Sequence, residues 1–242
     1  MLVLVIPDVH LKPWMFDAAD RAIDSESPDA VVQLGDLPDD WGMQRHPETY
    51  DALYNRAETF LADHPETLWC FGNHDMSYAW EASESGMAKG KVLRHVQERS
   101  RAFWDKVPQD HKAFVHRIDD VCFSHAGILQ DFIEDQGLAS ASVDDALAAI
   151  NRMGRDELWQ DLSPIWARPQ GMVDLDILFR PQELFQVVGH TPVKYVRQEG
   201  NLLSCDVFST YSWGGPIGTE EFPLIDTKAW TFRTISSAGV PR

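Results

Sequence analysis

The sequence is poor in the features that most quickly place a chain in a class. Its 242 residues hold three cysteines, Cys70, Cys122 and Cys205, and no CxxC pair. A zinc ribbon or a disulfide framework is thereby excluded as the organising element. Each thiol falls in an apolar stretch expected to be a strand, where it reads as buried and inert. No apolar run approaches the ~20 residues that span a bilayer. Met1 to Ile6 is apolar but has no basic flank and no cleavage site, so a first strand and a cytoplasmic protein are expected. Cationic residues are scarce: 21 Lys and Arg stand against 38 Asp and Glu, a net charge of −17. That balance argues against a nucleic-acid duplex or an anionic membrane as partner. Internal repeats, low-complexity tracts and linkers are also missing. With 44% hydrophobic and 24% charged residues, residues 1–242 are expected to form a single domain with a substantial core.

What the sequence does contain is a series of short apolar runs, each ending in polar residues able to hold a metal. Leu2 to Ile6 has the continuous pattern of a strand covered on both faces, and it ends in Pro7-Asp8-Val9-His10. Asp8 and His10 are two apart, so an extended chain points both to one side. A carboxylate and an imidazole at that spacing can hold one metal ion. Trp14 to Ile23 is helical in pattern, and Ala30 to Leu34 is a second strand ending in Gly35-Asp36-Leu37-Pro38-Asp39-Asp40. Strand, helix and strand at this spacing form a βαβ unit with a right-handed crossover. Open α/β sheets carry their sites at the carboxyl ends of strands, which brings Asp8, His10 and Asp36 to one edge. Pro47 to about His64 reads as a helix burying Leu53, Ala57, Phe60 and Leu61. Thr67 to Phe71 is a third strand, followed by Gly72-Asn73-His74-Asp75. Each motif alone is common by chance. Three consecutive strands ending this way are not.

The remainder repeats the pattern with longer interruptions. Met76 to Lys91 is a polar excursion near the site, and Val92 to Trp104 is expected to be helical. His46, His64, His95, His111 and His116 have no ligand spacing and read as surface or hydrogen-bonded structural residues. Phe114 to Ile118 and Val121 to Phe123 form a hairpin that delivers Ser124-His125-Ala126-Gly127. Helices are expected over Leu129 to Gln136 and Val143 to Trp159, then a loop over Ser163 to Met172 with Trp166 and Arg168. Leu184 to Val188 is a strand ending in Gly189-His190-Thr191-Pro192. Strands over Lys194 to Gln198 and Leu202 to Val207 follow, with Asp206 either near the site or on the surface. Thr210 to Thr219 is a loop rich in glycine and aromatics. A hairpin of Phe222 to Asp226 and Ala229 to Ile235 closes the sheet, and the last few residues are expected to fray.

In order, Asp8-x-His10, Gly35-Asp36-x-x-Asp39, Gly72-Asn73-His74-Asp75, Ser124-His125-Ala126-Gly127 and Gly189-His190-Thr191 resemble the motifs of the calcineurin-like metallophosphoesterases. Five spaced motifs in sequence are specific, and they cover residues 1 to about 207. The GNHD, HAG and GHT forms look most like the branch of Ser/Thr protein phosphatases and symmetrical dinucleoside tetraphosphatases. The resemblance implies an α/β fold of two mixed β-sheets sandwiched between helices, α-β-β-α. It implies a metal-dependent phosphoester hydrolase with two divalent ions, manganese first, with iron or zinc as alternatives. Asp8, His10 and Asp36 would hold one ion. Asp36 as a bridge, Asn73, His125 and His190 would hold the other, with Asn73 also touching substrate. Two cations ~3.5–4 Å apart would acidify a bridging water and neutralise phosphoryl oxygens. His74 would give a proton to the leaving oxygen, its ring oriented by Asp39.

Two departures qualify the resemblance. Thr191-Pro192 follows His190 where many members carry a second His, so water would complete the first ion's shell. The protein-phosphatase branch usually reads GDxVDRG, whereas Asp40-Trp41-Gly42 follows Asp39 here and the phosphate-gripping Arg is gone. Arg168 is the candidate to replace it. The expected substrate is a phosphomonoester or phosphoprotein, with a dinucleoside polyphosphate or a phosphodiester as the alternative. A catalytically silent metal-binding scaffold is the rival from another class, and it could lose His74 or a ligand without harm. None is missing. Oligomeric state is left open.

Overall fold

The structure is a computed structural model that describes residues 1–171 and 175–240. The strands in chain order are Leu2–Ile6 (β1), Ala30–Gln33 (β2), Leu68–Cys70 (β3), Lys112–Ala113 (β4), Val115–Ile118 (β5), Val121–Ser124 (β6), Phe185–Val188 (β7), Arg197–Glu199 (β8), Leu202–Ser204 (β9), Glu221–Asp226 (β10) and Thr231–Ser236 (β11). One sheet has the order β11-β10-β1-β2-β3-β4 and the other β5-β6-β7-β9-β8. Within the first, β1 to β4 run parallel, while β10 is antiparallel to β1 and to β11. The second is also mixed, with β6, β7 and β9 parallel and β5 and β8 antiparallel edges. Phe114 is the single residue between β4 and β5, so the chain steps from one sheet to the other there.

Side-chain alternation decides what each sheet packs against. Val121 and Phe123 of β6, with Phe185 and Val187 of β7, join the core that also holds Val3 to Ile6 of β1. Cys122, Val188 and Leu202 point the other way, into a second core with Phe132, Ile133, Ala146 and Leu147. Those four sit on helices Gln130–Asp135 (α5) and Val143–Ile150 (α6). The first sheet is covered on its far side by Trp14–Glu26 (α1), Pro47–Asp63 (α2) and Lys91–Lys106 (α4). The short helix Asn73–Ala79 (α3) precedes α4, and Arg155–Leu158 (α7) follows α6. The layers are therefore helix, sheet, sheet, helix, as the resemblance implied. β1 is buried from Val3 to Ile6 because both its faces are covered, which is what an unbroken apolar run requires.

Some expectations need correcting. The segment from Val143 to Trp159 is two helices, broken at Asn151. The Asn151 side chain accepts from Phe114 N–H (3.0 Å) and Val115 N–H (2.9 Å) and donates to the Val115 carbonyl (2.9 Å). A side chain committed to a strand edge in this way fixes the end of one helix, and Glu157 caps the next by accepting from Gly154 N–H at 3.0 Å. Asn73 to Ala79 is helical, so the first turn of what the sequence suggested as a polar excursion from Met76 belongs to a helix. The strand expected from Lys194 is confined to Arg197–Glu199. Met172, the end of the loop expected from Ser163, lies outside the described residues, as do Pro241 and Arg242 of the expected frayed end. All three cysteines are free and buried. The five non-ligand histidines each find a partner: Glu48 for His46, Asp20 for His64, Asp51 for His95, the Pro65 carbonyl for His111 and the Trp69 carbonyl for His116.

His116 carries a testable consequence. Burial lowers its pKa from the ordinary 6.5 to about 4, against the opposing hydrogen bond to the Trp69 carbonyl. A folded-state pKa below the unfolded value means that this share of stability is complete above pH 6.5 and is lost as pH falls through 4. The full loss is on the order of 3 kcal/mol. Urea melts at pH 8 and pH 4.5 should show a smaller acid loss for His116→Gln than for the parent. Equal losses would show that His116 is not a neutral buried imidazole.

Candidate metal centre

The site forms where β1, β2 and β3 of one sheet and β6 and β7 of the other end together. Asp36, His125 and His190 offer ligand atoms within 4.8 Å of one another, and so do His10, Asp36 and His74. Asp36 belongs to both groups. His125 Nδ1 lies 2.9 Å from the Leu34 carbonyl and can donate to it. Its Nε2 then faces Asn73 Oδ1 at 2.9 Å, His190 Nδ1 at 3.0 Å and Asp36 Oδ2 at 3.3 Å. The Asn73 oxygen is aimed there because its Nδ2 donates to Glu84 Oε2 at 3.2 Å. His10 gives Nδ1 to the Asp39 carbonyl at 2.9 Å, which leaves Nε2 3.8 Å from Asp36 Oδ2. Several lone pairs facing one another in a buried space repel unless a cation or proton sits among them. Mixed imidazole and oxygen donors are the set that first-row divalent metals take. The residues fit divalent metal binding.

Asp8 lies beside these groups rather than in them. Both its oxygens accept from His190 N–H, at 2.9 and 3.1 Å. Asp206, read from sequence as surface or site, is fully buried, and its carboxylate accepts from the Ser209 hydroxyl at 2.9 Å. His74 Nδ1 is 2.9 Å from Asp39 Oδ2, and Asp39 Oδ1 accepts from Tyr50 at 2.9 Å and Tyr78 at 2.5 Å. Those two tyrosines were missed in the sequence. Tyr50 continues the buried stripe of α2 toward its start, and a phenol on a buried stripe needs a polar partner. Asp75 was noted only as part of its motif. Its carboxylate accepts from the backbone N–H of Asp36 (2.7 Å), Gly72 (2.9 Å) and Leu37 (3.2 Å). The candidate ligands are also held in unusual backbone: φ is +44° at His10, +53° at Asp36 and +61° at His190. Such conformations cost a non-glycine residue roughly 1–3 kcal/mol and gather at functional sites.

Residues 1–215 match the family model described as calcineurin-like phosphoesterase. The chain belongs to that family. It is accordingly a phosphoric ester hydrolase, of a family that binds divalent metal ions and acts on phosphoesters. No curated protein sequence matches it significantly. Among solved structures it resembles a cold-active protein tyrosine phosphatase at 16% identity, covering 99% of this chain and 80% of that one, with a TM-score of 0.49. A metallophosphoesterase from Sphaerobacter thermophilus matches at 14% identity over 100% and 95% of the two chains, TM-score 0.45. Yfce, a phosphoesterase from E. coli, matches at 11% identity over 98% and 99%, TM-score 0.40. Likeness at these levels says nothing about substrate.

The phosphoesterase opens at this site into a cleft of about 520 Å³, lined by His10, Asp36, Asn73, His74, Arg168 and His190 among others. Burial, and then the nearby Asp206, push the Asp8 carboxyl well above its usual range. Burial would likewise raise Asp36, but His125 and His74 beside it hold it below the ordinary carboxylate range. Burial lowers His74, yet Asp36 and the Asp39 hydrogen bond outweigh it and carry its pKa up to about 10. Polar His190 Nε2 is buried with no hydrogen-bond partner among the described residues.

The close approach of Gly189 to Asp8 can be tested. A Cβ at residue 189 would stand 1.9 Å from Asp8 Oδ1. Gly189→Ala must displace the carboxylate that holds His190 N–H. Overpacking of this kind costs about 1–3 kcal/mol. The variant should melt lower and retain less metal by elemental analysis. Full metal content at an unchanged melting temperature would show that the contact is dispensable.

Proposed function

We propose that this phosphoesterase hydrolyses a phosphomonoester or phosphoprotein at a two-metal centre bridged by Asp36. The observation that carries the reading is the membership of Asp36 in both ligand groups. Asp8, which lies beside the two groups and holds His190 N–H, would join His10 and Asp36 at one ion, and Asp36, Asn73, His125 and His190 would hold the other. When bound, such a pair acidifies water and neutralises phosphoryl charge, with manganese, iron or zinc suited to these donors. His74 is the proton donor to the leaving oxygen. Asp39, clamped by Tyr50 and Tyr78, fixes the ring through Nδ1 and leaves Nε2 for that transfer. Arg168 lines the cleft and donates to Thr191 Oγ1 at 3.1 Å and to the His190 carbonyl at 3.3 Å, which holds it at the rim as a phosphate contact.

The GNHD, HAG and GHT forms favour the branch of Ser/Thr phosphatases and dinucleoside tetraphosphatases. Arg168 is the one Lys or Arg among the described residues lining the cleft, which favours a single phosphoryl group over a polyphosphate. Three buried free thiols suit a reducing compartment, and we place the protein in the cytoplasm as one catalytic domain.

Removing metal with a chelator should abolish hydrolysis, and Mn²⁺ should restore it. Full activity in protein shown by elemental analysis to be metal-free would sink the two-metal reading. His74→Ala should keep its metal but lose roughly 10²–10⁴-fold in rate on alkyl phosphates, and less on nitrophenyl phosphate, whose leaving group needs little protonation. Loss of metal instead would make His74 a ligand, which its place beside His10 and Asp36 permits. Arg168→Ala should lower kcat/KM by roughly 10- to 150-fold, with Arg168→Lys recovering part. An unchanged kcat/KM would remove Arg168 from the site.

A further inference from the structure

Asp40 occupies the position after Asp39 without serving as a phosphate grip, and its contacts show another use. Its Oδ2 pairs with Lys12 Nζ at 3.1 Å. Its Oδ1 accepts from Trp41 N–H at 2.7 Å and from the Thr210 hydroxyl at 2.8 Å. Thr210 opens a tight loop, closed by its bridge to Pro216 and by the bond from Tyr211 N–H to the Gly215 carbonyl at 2.8 Å. Asp40 thus clips together two loops that are 170 residues apart in sequence. Each loop carries an aromatic ring into the lining of the metal cleft, Trp41 from one and Tyr211 from the other. Trp41 is 48% exposed, Tyr211 43% and Trp213 76%. Trp213 stacks flat on Tyr211, with ring centres 5.3 Å apart and planes 9° apart. Gly215 makes room for it, since a Cβ there would come within 1.8 Å of the Trp213 ring. Three of the six large apolar side chains exposed among the described residues therefore gather beside one cleft. Such a cluster marks a binding surface more often than chance exposure.

We infer that the preferred phosphoester carries a planar aromatic ring, held against Trp41 and Tyr211 while its phosphorus lies at the Asp36-centred site. This rests on the hydrolase reading above. Beyond the metal site, Arg168 is the one Lys or Arg among the described residues lining the cleft, and Asp40 is already paired with Lys12, so little charge is left to hold the part of the substrate beyond its phosphoryl group. Stacking on an aromatic face needs no cation and tolerates different rings. A nucleobase and a small aryl group share that chemistry, and substrate pairs can tell them apart.

The test compares esters whose primary leaving alcohols differ only in the ring, using Mn²⁺-loaded protein. Adenosine 5′-monophosphate is set against ribose 5-phosphate, and benzyl phosphate against cyclohexylmethyl phosphate. The aromatic member of at least one pair should have the higher kcat/KM, by roughly 5- to 150-fold and mostly through KM. Preference in the first pair points to a nucleobase, and in the second alone to a small aryl group. The ratio within the preferred pair should fall toward one in Trp41→Ala and in Tyr211→Ala, and Trp41→Phe should keep part of it. No preference in either pair, a ratio unmoved by both variants, or a phosphoserine peptide cleaved faster than both aromatic esters would overturn the inference and leave the hydrolase reading standing. Should no ester be cleaved, the hydrolase reading fails, and a tryptophan fluorescence titration with uncharged adenosine and benzyl alcohol decides the ring site separately. Saturable quenching that Tyr211→Ala weakens supports the site, and no quenching by either compound overturns it.

Discussion

The metal centre depends on a buried carboxylate that does not face it. Asp75 accepts three backbone N–H bonds, two from the turn after β2 and one from the turn after β3. Three hydrogen bonds to one buried carboxyl group lock two strand ends into one rigid unit. Asp36 hangs from that unit, its N–H held by Asp75 and its own Oδ1 accepting His74 N–H at 2.9 Å. Gly72 has no side chain in the way. A Cβ at residue 72 would fall 2.1 Å from Asp36 Oδ1, which explains why glycine opens the motif.

A frame of this kind is needed because the candidate ligands sit in costly backbone. His10, Leu11, Asp36, Asp39 and His190 all have positive φ. Only surrounding structure that over-determines these residues can hold them there. Two cores, one between the sheets and one under α5 and α6, supply it. The second sheet delivers its two histidines to the same edge because β6 and β7 run parallel and end together. Gly189 N–H donates to the His125 carbonyl at 2.8 Å, which ties those two ends as Asp75 ties the others.

Around the centre, the cleft combines excess negative charge with exposed aromatic rings. Lys12 is committed to Asp40 and to the His10 carbonyl, so its charge stabilises the loops rather than the opening. The rim therefore presents exposed ring faces, with Arg168 as the one Lys or Arg among the described lining residues.

Much of this was legible in the chain itself. Apolar runs marked β1, β2, β6 and β7, because a strand covered on both faces leaves few positions for polar residues, and Gln33 and Gln186, which do stand there, are buried and hydrogen-bonded. The ligand types at the ends of those runs, and their order, carried the family. Local pattern also set aside five histidines, each of which has a hydrogen-bond partner. Other features could not be read that way. Which nitrogen of His10 and His125 faces the centre is set by the carbonyls of Asp39 and Leu34. The clamp of Tyr50 and Tyr78 on Asp39, the burial of Asp206, the break at Asn151 and the bond between Asp40 and Thr210 are equally non-local. Sequence periodicity reports which face of a segment is apolar, and so it determined most of the strands and the longer helices, while the residue types at the strand ends supplied the candidate donors. Hydrogen bonds between segments far apart in the chain exist only once the two sheets have packed, and so the tertiary structure alone decided how those donors are aimed.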